Sequence, residues 1–253
     1  MQTPSSRKVG LARALSKLGH CSRSQAAKLI QAGQVSLNGR TRRDIETPVD
    51  LKADRIQVSH SPVRAQDKVY LMLNKPRGAV TTTSDEKGRE TVYAYLEPGL
   101  PFVAPVGRLD KASEGLLLLT NDSEWAARVT APETHLDKTY HVQVGTVAEE
   151  GLLRTLTEGV SSEGNFLRAK TARILRRGAR NTWLEIVLDE GKNRHIRRML
   201  AQLDVEMLRL VRVAIGPLAL GELKKGDARR LSSAEKQALD RVFAARRSRA
   251  MTR

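Results

Sequence analysis

The chain has 253 residues, enough for one large domain or two smaller ones, and its 40% hydrophobic content supplies a packed core and argues against general disorder. A formal net charge of +16 points to a polyanionic partner, nucleic acid first, while aromatics at only 4% argue for binding by charge and shape over extended base stacking. The single cysteine, Cys21, excludes an internal disulfide framework and a multi-cysteine zinc site, and reads as a small buried residue in a reduced cytosol.

Residues 1–8 read as a loose leader, and MQTPSSRKVG lacks the apolar core of a signal peptide. No apolar run reaches membrane-spanning length, and no long helix has a strongly apolar face, so a membrane partner is not expected and the expected location is the cytoplasm. Leu11, Ala14, Leu15 and Leu18 recur at helical spacing, and Gly19 ends that helix. In CSRSQAAKLIQAG, Ser22 is an N-cap with Gln25 as its capping-box partner; Ala26, Leu29 and Ile30 form the apolar face and Gly33 the stop. Val35 and Leu37 then alternate, and Asn38-Gly39 signals a hairpin, followed by two short strands up to Val58. Arg13, Arg23, Lys28 and Arg40 fall on both helices and the hairpin with few acids between them, which reads as a nucleic-acid surface.

The stretches LARALSKLG, CSR and AAKLIQAGQVSLNG resemble the alpha-L RNA-binding domain, over residues 9–58. The resemblance implies that both helices and the following loop lie on structured RNA, in keeping with shape-led recognition of folded RNA.

Residues 59–67 are polar and without periodicity, and read as a linker. A second domain is expected over 68–243. It opens with a strand, a Lys-Pro-Arg-Gly turn and a β-prone Val-Thr run in KVYLMLNKPRGAVTTT. A short helix in TVYAYLEPGLP ends at Pro98-Gly99, and a buried strand spans 115–120. Asn121-Asp122 reads as a turn and cap for the helix SEWAARVT. KTYHVQV (138–144) and NTWLEIVLDEG (181–191) alternate as strands. From Asn193, RHIRRMLAQL reads as a helix with Ile196, Met199, Leu200 and Leu203 on one face. A late strand pair in LVRVAIGPLAL precedes a last helix capped by Ser232 or Ser233, and 244–253 reads as a basic disordered tail.

No phosphate loop, GxGxxG, HExxH, metal-spaced histidine set or Ser-His-Asp order is present. An enzyme of this sequence acting on nucleic acid is therefore expected to use no ATP, nicotinamide or metal, which leaves hydrolysis, transesterification or base isomerisation. Two charged clusters interrupt the apolar pattern. In PVGRLDKASEGLLLLTND, Asp110 is either an acid paired with Arg108 or Lys111, or a poised catalytic group. In EGKNRHIRRM, Lys192, Arg194, Arg197 and Arg198 stand at a strand-to-helix junction, either an anion-holding site or a solvated RNA-facing patch.

Together, NKPRG, GRLD followed by GLLLLTND, KTY and EGKNRHIRRM resemble, in order, the motif set of the RsuA/RluB-type ribosomal RNA pseudouridine synthases, over residues 68–240. The alpha-L domain is the usual N-terminal partner of that family. The resemblance implies a cofactor-independent isomerase that converts selected uridines of ribosomal RNA, slightly favouring the large subunit, to pseudouridine. It makes Asp110 the nucleophile or base that starts glycosidic cleavage, Arg197 its ion-pair partner and Tyr140 the aromatic stacked on the target base. The residue-level alternative for Tyr140 is a core tyrosine sharing a strand face with Val142 and Val144. Arg108 is assigned to positioning the loop or a phosphate, Lys192 and Arg194 to holding phosphate, and Asn74 and Lys75 to structure. His195 stands where the family commonly carries glutamine or glutamate.

The expected architecture is α+β: the small alpha-L domain, then a mixed, mainly antiparallel sheet flanked by helices. The expected partner is ribosomal RNA or a subunit-assembly intermediate, with the chain a monomer. The competing readings are a noncatalytic RNA-binding assembly factor and a synthase acting on transfer RNA.

Overall fold

The computed structural model describes residues 8–251 apart from 84 and 86. Nearly all of the leader expected over 1–8, and the last two residues of the chain, lie outside the described residues. The chain divides into two compact units: Met1–Tyr70 with Glu97–Ala104 and Leu119–Ser123, and the remainder.

In chain order, the first unit holds β1 (Val9–Gly10), α1 (Leu11–Lys17), α2 (Arg23–Gln31), β2 (Val35–Leu37), β3 (Arg40–Arg42), β4 (Pro48–Val49), β5 (Ile56–Val58) and β6 (Ser61–Pro62). Local signals form these elements. Ser22 Oγ accepts the Gln25 N–H while Gln25 Oε1 accepts the Ser22 N–H, the reciprocal cap that starts α2. Asn38 and Gly39 adopt φ of 52° and 78°, the left-handed pair a two-residue hairpin needs, and join β2 to β3. Leu11, Leu15, Ala26, Ile30, Val35, Leu37 and Ile56 make the core, with Cys21 packed half-buried at its edge.

The stretch expected as a linker, 59–67, is hydrogen-bonded along its length. β6 pairs with β5, the Val63 N–H donates to Ile56 O, and the Gln66 N–H donates to Leu18 O. Two distant segments also join this unit: the Phe102 N–H donates to Gly19 O, and Asn121 accepts the Val69 N–H and donates to Asp67 O.

The remaining elements are β7 (Tyr70–Lys75), β8 (Ala104–Val106), β9 (Glu114–Thr120), α3 (Ser123–Thr130), β10 (Lys138–Val144), α4 (Glu150–Glu158), β11 (Val160–Ser162), β12 (Asn165–Leu167), β13 (Thr171–Arg177), β14 (Thr182–Leu188), α5 (His195–Gln202), β15 (Met207–Ile215), β16 (Leu218–Ala219), β17 (Ala228–Arg230) and α6 (Ser233–Met251). One nine-stranded sheet runs in the order β13-β14-β10-β15-β9-β7-β17, with β16 on β15 and β8 on β9. The β9–β15 pairing is parallel, while β10–β14, β10–β15, β13–β14 and β7–β17 are antiparallel, so the sheet is mixed and mainly antiparallel. One face of β10, β14 and β15 buries Val142, Val144, Leu184, Ile186, Leu188 and Leu210 against Ile196, Met199 and Leu200 of α5 and Leu153 and Leu156 of α4. Burial on both faces explains the apolar run Leu116–Leu119 of β9, all fully buried.

Two expectations change, and one stretch gains elements. Among the described residues, the Val-Thr run after Gly78 makes one isolated bridge, Val80 to Thr91, and no strand; strand propensity without a neighbouring strand gives no strand. The stretch expected as a disordered tail from 244 is helical as far as Met251, where α6 ends, through a sequence with no glycine or proline. Residues 146–180, to which the sequence reading assigns no element, form α4, β11, β12 and β13.

Candidate active site

The loop from Val106 to Ser113 enters β9 and is fixed from three sides. The Ser113 N–H closes a turn onto Asp110 O at 2.9 Å. The Gly78 N–H donates to Lys111 O at 2.8 Å, and Thr81 Oγ1 donates to Leu109 O at 2.8 Å. Lys75, fully buried, donates through Nζ to Ser113 O (2.8 Å) and Pro76 O (3.0 Å). The NKPRG segment is therefore the bracket of the Asp110 loop, and Asn74 ties it onward by donating to Leu223 O.

Held in this way, Asp110 faces α5. Its carboxylate lies 3.4 Å from Arg197 Nε, with the acid 41% exposed and the arginine 18%. Neither Arg108 nor Lys111, its neighbours in sequence, supplies the ion pair. The Arg197 Nη2 donates to Ser113 Oγ at 3.2 Å, which fixes the guanidinium from the loop side. Burial pushes the Arg197 guanidinium below its ordinary value, and the Asp110 carboxylate opposes that shift.

A cavity of about 230 Å³ opens over this pair, lined by Asp110, Tyr140, Arg197, Arg108, Lys192 and Arg194 among others. The volume is below the roughly 300–1,000 Å³ of drug-sized ligand sites and suits one base. Tyr140 packs against the core of β10 and α5 and also lines the cavity. Its cross-strand partner is Arg212, a buried side chain that also lines the cavity and donates from Nε to Leu116 O. Arg108 and Arg194 are exposed at the rim and also line a neighbouring cleft with Lys87, Arg89 and Lys111. Lys192 is paired with Glu190 at 2.7 Å. His195 is buried at the start of α5, and burial lowers its pKa from the ordinary histidine value. Among the described residues, no group of three or more His, Cys, Asp or Glu side chains is placed to hold a metal ion, and no helix is long and apolar enough to cross a membrane.

Glu114, the acid that opens β9, is paired with Arg209 and Lys225 and is not among the residues lining the cavity. Burial pushes its carboxyl up, but Arg209 and Lys225 outweigh that and hold it below the ordinary glutamate value. Arg13, Arg23, Lys28 and Arg40 belong to the smaller unit, where all four are exposed.

Residues 69–202 match the family model described as RNA pseudouridylate synthase, and residues 9–56 match the S4 domain. A protein of Aquifex aeolicus named as an uncharacterized RNA pseudouridine synthase is 37% identical over 222 residues, 87% of this chain and 89% of the relative. The chain belongs to the RNA pseudouridylate synthase family. The ribosomal large subunit pseudouridine synthase B of Bacillus subtilis is 34% identical over 227 residues, 89% of this chain and 93% of that protein. A crystal structure of a pseudouridylate synthase, 29% identical, superimposes with a TM-score of 0.65 and covers 91% of this chain and 99% of its own. This pseudouridine synthase is thus an RNA-modifying isomerase with an N-terminal S4 domain.

The synthase also carries a residue whose importance its sequence hides. Burial lowers the pKa of Lys75 to about 8, against the pull of Asp110 and Glu114. The unfolded chain, with an ordinary value near 10.5, binds that proton more tightly. Stability is therefore expected to rise between pH 8 and 10.5, where only the unfolded state is protonated, and the contribution is flat below pH 8. Urea unfolding of wild type and Lys75→Met at pH 8 and pH 10 checks this. The wild type should gain on the variant as pH rises, and equal slopes would remove Lys75 from the account.

Proposed function

We propose that this synthase isomerises a uridine of ribosomal RNA, in the large subunit, with Asp110 as the group that begins the reaction. The observation that carries the reading is the Asp110–Arg197 pair at 3.4 Å inside a base-sized cavity with Tyr140 on its wall. A carboxylate is a nucleophile or base that needs no metal and can leave again. With RNA covering the site, the Arg197 cation keeps it ionised. In the conversion the N1–C1′ bond breaks, a C5–C1′ bond forms, the C5 proton leaves and N1 ends protonated, so the product is an isomer. Tyr140 stacks on the uracil while this occurs. The choice of ribosomal RNA rests on the name of the Bacillus subtilis relative and on the S4 domain.

The target must leave its stack to reach Asp110, at a cost of a few kcal/mol. Phosphate contacts by Arg108, Lys192 and Arg194, and by Arg13, Arg23, Lys28 and Arg40 of the S4 domain, supply the opposing binding energy. Replacing Arg13 and Arg40 together by Ala is expected to weaken RNA binding and to reduce the slope of log K against log salt by about 1–2. An unchanged slope would remove them from the interface. In this reading the enzyme works as a monomer in the cytoplasm, on ribosomal RNA or on an assembly intermediate.

The test is a pseudouridine map of ribosomal RNA from cells lacking the protein, complemented by wild type or by Asp110→Asn. One large-subunit site should vanish and return with wild type only. If every site persists in the deletion, ribosomal RNA is not the substrate.

A further inference from the structure

The hairpin β11–β12 carries the most exposed large hydrophobic side chain among the described residues, Phe166, at 55%. In a chain with three phenylalanines an exposed ring is a small puzzle, and its surroundings sharpen it. The hairpin is not loose. Glu163 and Gly164 turn it with φ of 50° and 72°, the pair of left-handed residues a tight hairpin requires. Arg198 of α5 donates to Ser162 O and lies 3.3 Å from the Glu163 carboxylate. Lys192, on the cavity wall, donates through Nζ to the backbone O of Phe166 itself at 3.0 Å. The ring packs on Gly159, where a Cβ would stand 2.5 Å from it. Phe166 is thus fixed in place one side chain from the cavity rim, with much of its ring open to solvent.

The neighbouring acids are each paired, Glu163 with Arg198 and Glu190 with Lys192, which leaves the exposed cations Arg168 and Arg194 in excess. Arg168 follows on the same stretch, is exposed, and helps Lys192 hold the Glu190 carboxyl below its ordinary value. Lys192 and Arg194 line the adjacent cavity. A fixed aromatic surface among cations complements a nucleotide, which offers a planar base and flanking phosphates. A base next to a flipped uridine has lost a stacking partner and needs another.

We propose that Phe166 is a stacking platform for the base of a nucleotide flanking the target uridine, with Arg168 placed to meet its phosphate. The proposal rests on the reading that the cavity takes a uridine of ribosomal RNA. Its chemistry is that of single-stranded nucleic acid: base–aromatic stacking is strong and tolerant of sequence.

The test uses the full chain carrying Asp110→Asn, which removes turnover, and as probe the ribosomal RNA fragment that the protein protects from ribonuclease. Adding Phe166→Ala should weaken binding roughly tenfold, and Phe166→Trp should restore it. Removing the base of one nucleotide beside the target should abolish the difference between Phe and Ala at 166. Melting temperatures should fall only slightly, because more than half of the side chain is exposed and only its contact with Gly159 is lost. Equal affinities for Phe and Ala, or a loss that no base removal erases, would overturn the proposal. Incubating the same fragment with the wild type keeps the two readings apart: a fragment bound but never isomerised counts against the isomerase, while the affinities still decide the role of Phe166.

Discussion

Asp110→Asn is expected to leave a folded, RNA-binding protein with at least a 10²–10⁴-fold loss of pseudouridine formation, about the range that a positioned acid or base contributes. The two halves of that expectation come from different features. The carboxylate is 41% exposed and its contact with Arg197 is an ion pair near the surface, so its removal should cost no more than about 1 kcal/mol of stability. The loop keeps its shape because backbone carbonyls of Leu109, Asp110, Lys111 and Ser113 hold it, and none of these bonds uses the carboxylate. Asparagine nearly matches the shape of aspartate and donates where the acid accepts, but carries no charge to begin the reaction. Single-turnover assays on the mapped RNA, with thermal melting alongside, give both numbers. Measurable wild-type turnover by the variant would remove Asp110 from the chemistry. A lowered melting point with proportionate activity loss would make it a structural residue.

Gly115→Ala should be as damaging by a different route. Gly115 sits in β9 opposite Arg212 of the parallel strand β15, with φ of 100°. An added Cβ would lie 2.3 Å from Arg212 O and 2.8 Å from Arg212 N. These are backbone atoms of a paired strand and have no rotamer in which to retreat. The backbone angle is also one that an alanine rarely adopts. Strand β15 would have to move away from β9, and with it the positions of Tyr140 and the Asp110 loop. The expected loss is about 4 kcal/mol or more, which for a chain of this size lowers Tm by on the order of 10 °C. Gly151→Ala in α4 is the internal comparison. Nothing lies within 4 Å of its Cβ, so it should be neutral or stabilise by up to about 1 kcal/mol. If both variants melted together, the close approach of β9 to β15 would not be rigid.

Where the sequence was legible, the determinants were local. The capping box at Ser22 and Gln25, the Asn38-Gly39 turn and the alternation of KTYHVQV specify α2, the β2–β3 hairpin and β10 with bounds close to those found. The second capping box, in which Glu235 accepts the Ser232 N–H and Ser232 Oγ accepts the Glu235 N–H, starts α6. Where it was not, the determinants were nonlocal. Asp110 stands between two cations in sequence yet pairs with Arg197 on α5; the local pattern offered Arg108 or Lys111, and only the family resemblance pointed to Arg197, because the packing of β9 and α5 decides the pairing. The burial of Lys75 and Arg212 cannot be read from two ordinary-looking basic residues in strands. The stretch 146–180 hides its elements in short, heavily charged segments such as TARILRR, where the exposed positions of an outer strand carry most of the composition. Of the candidate site, residue identities came from the motifs, whereas the cavity and the bracket around it came only with the tertiary structure.

The bracket has a consequence for the timing of order. Because Gly78, Thr81, Lys75 and the turn at Ser113 hold the loop carbonyls in the free protein, the loop loses its conformational entropy when the chain folds, not when RNA arrives. On the proposed reading of Asp110, the substrate would meet a carboxylate already aimed, and the free energy of docking would remain available for unstacking the uridine. Hydrogen exchange should register this as amides at Gly78 and Ser113 that open only with the sheet itself, in the free protein as much as in the complex.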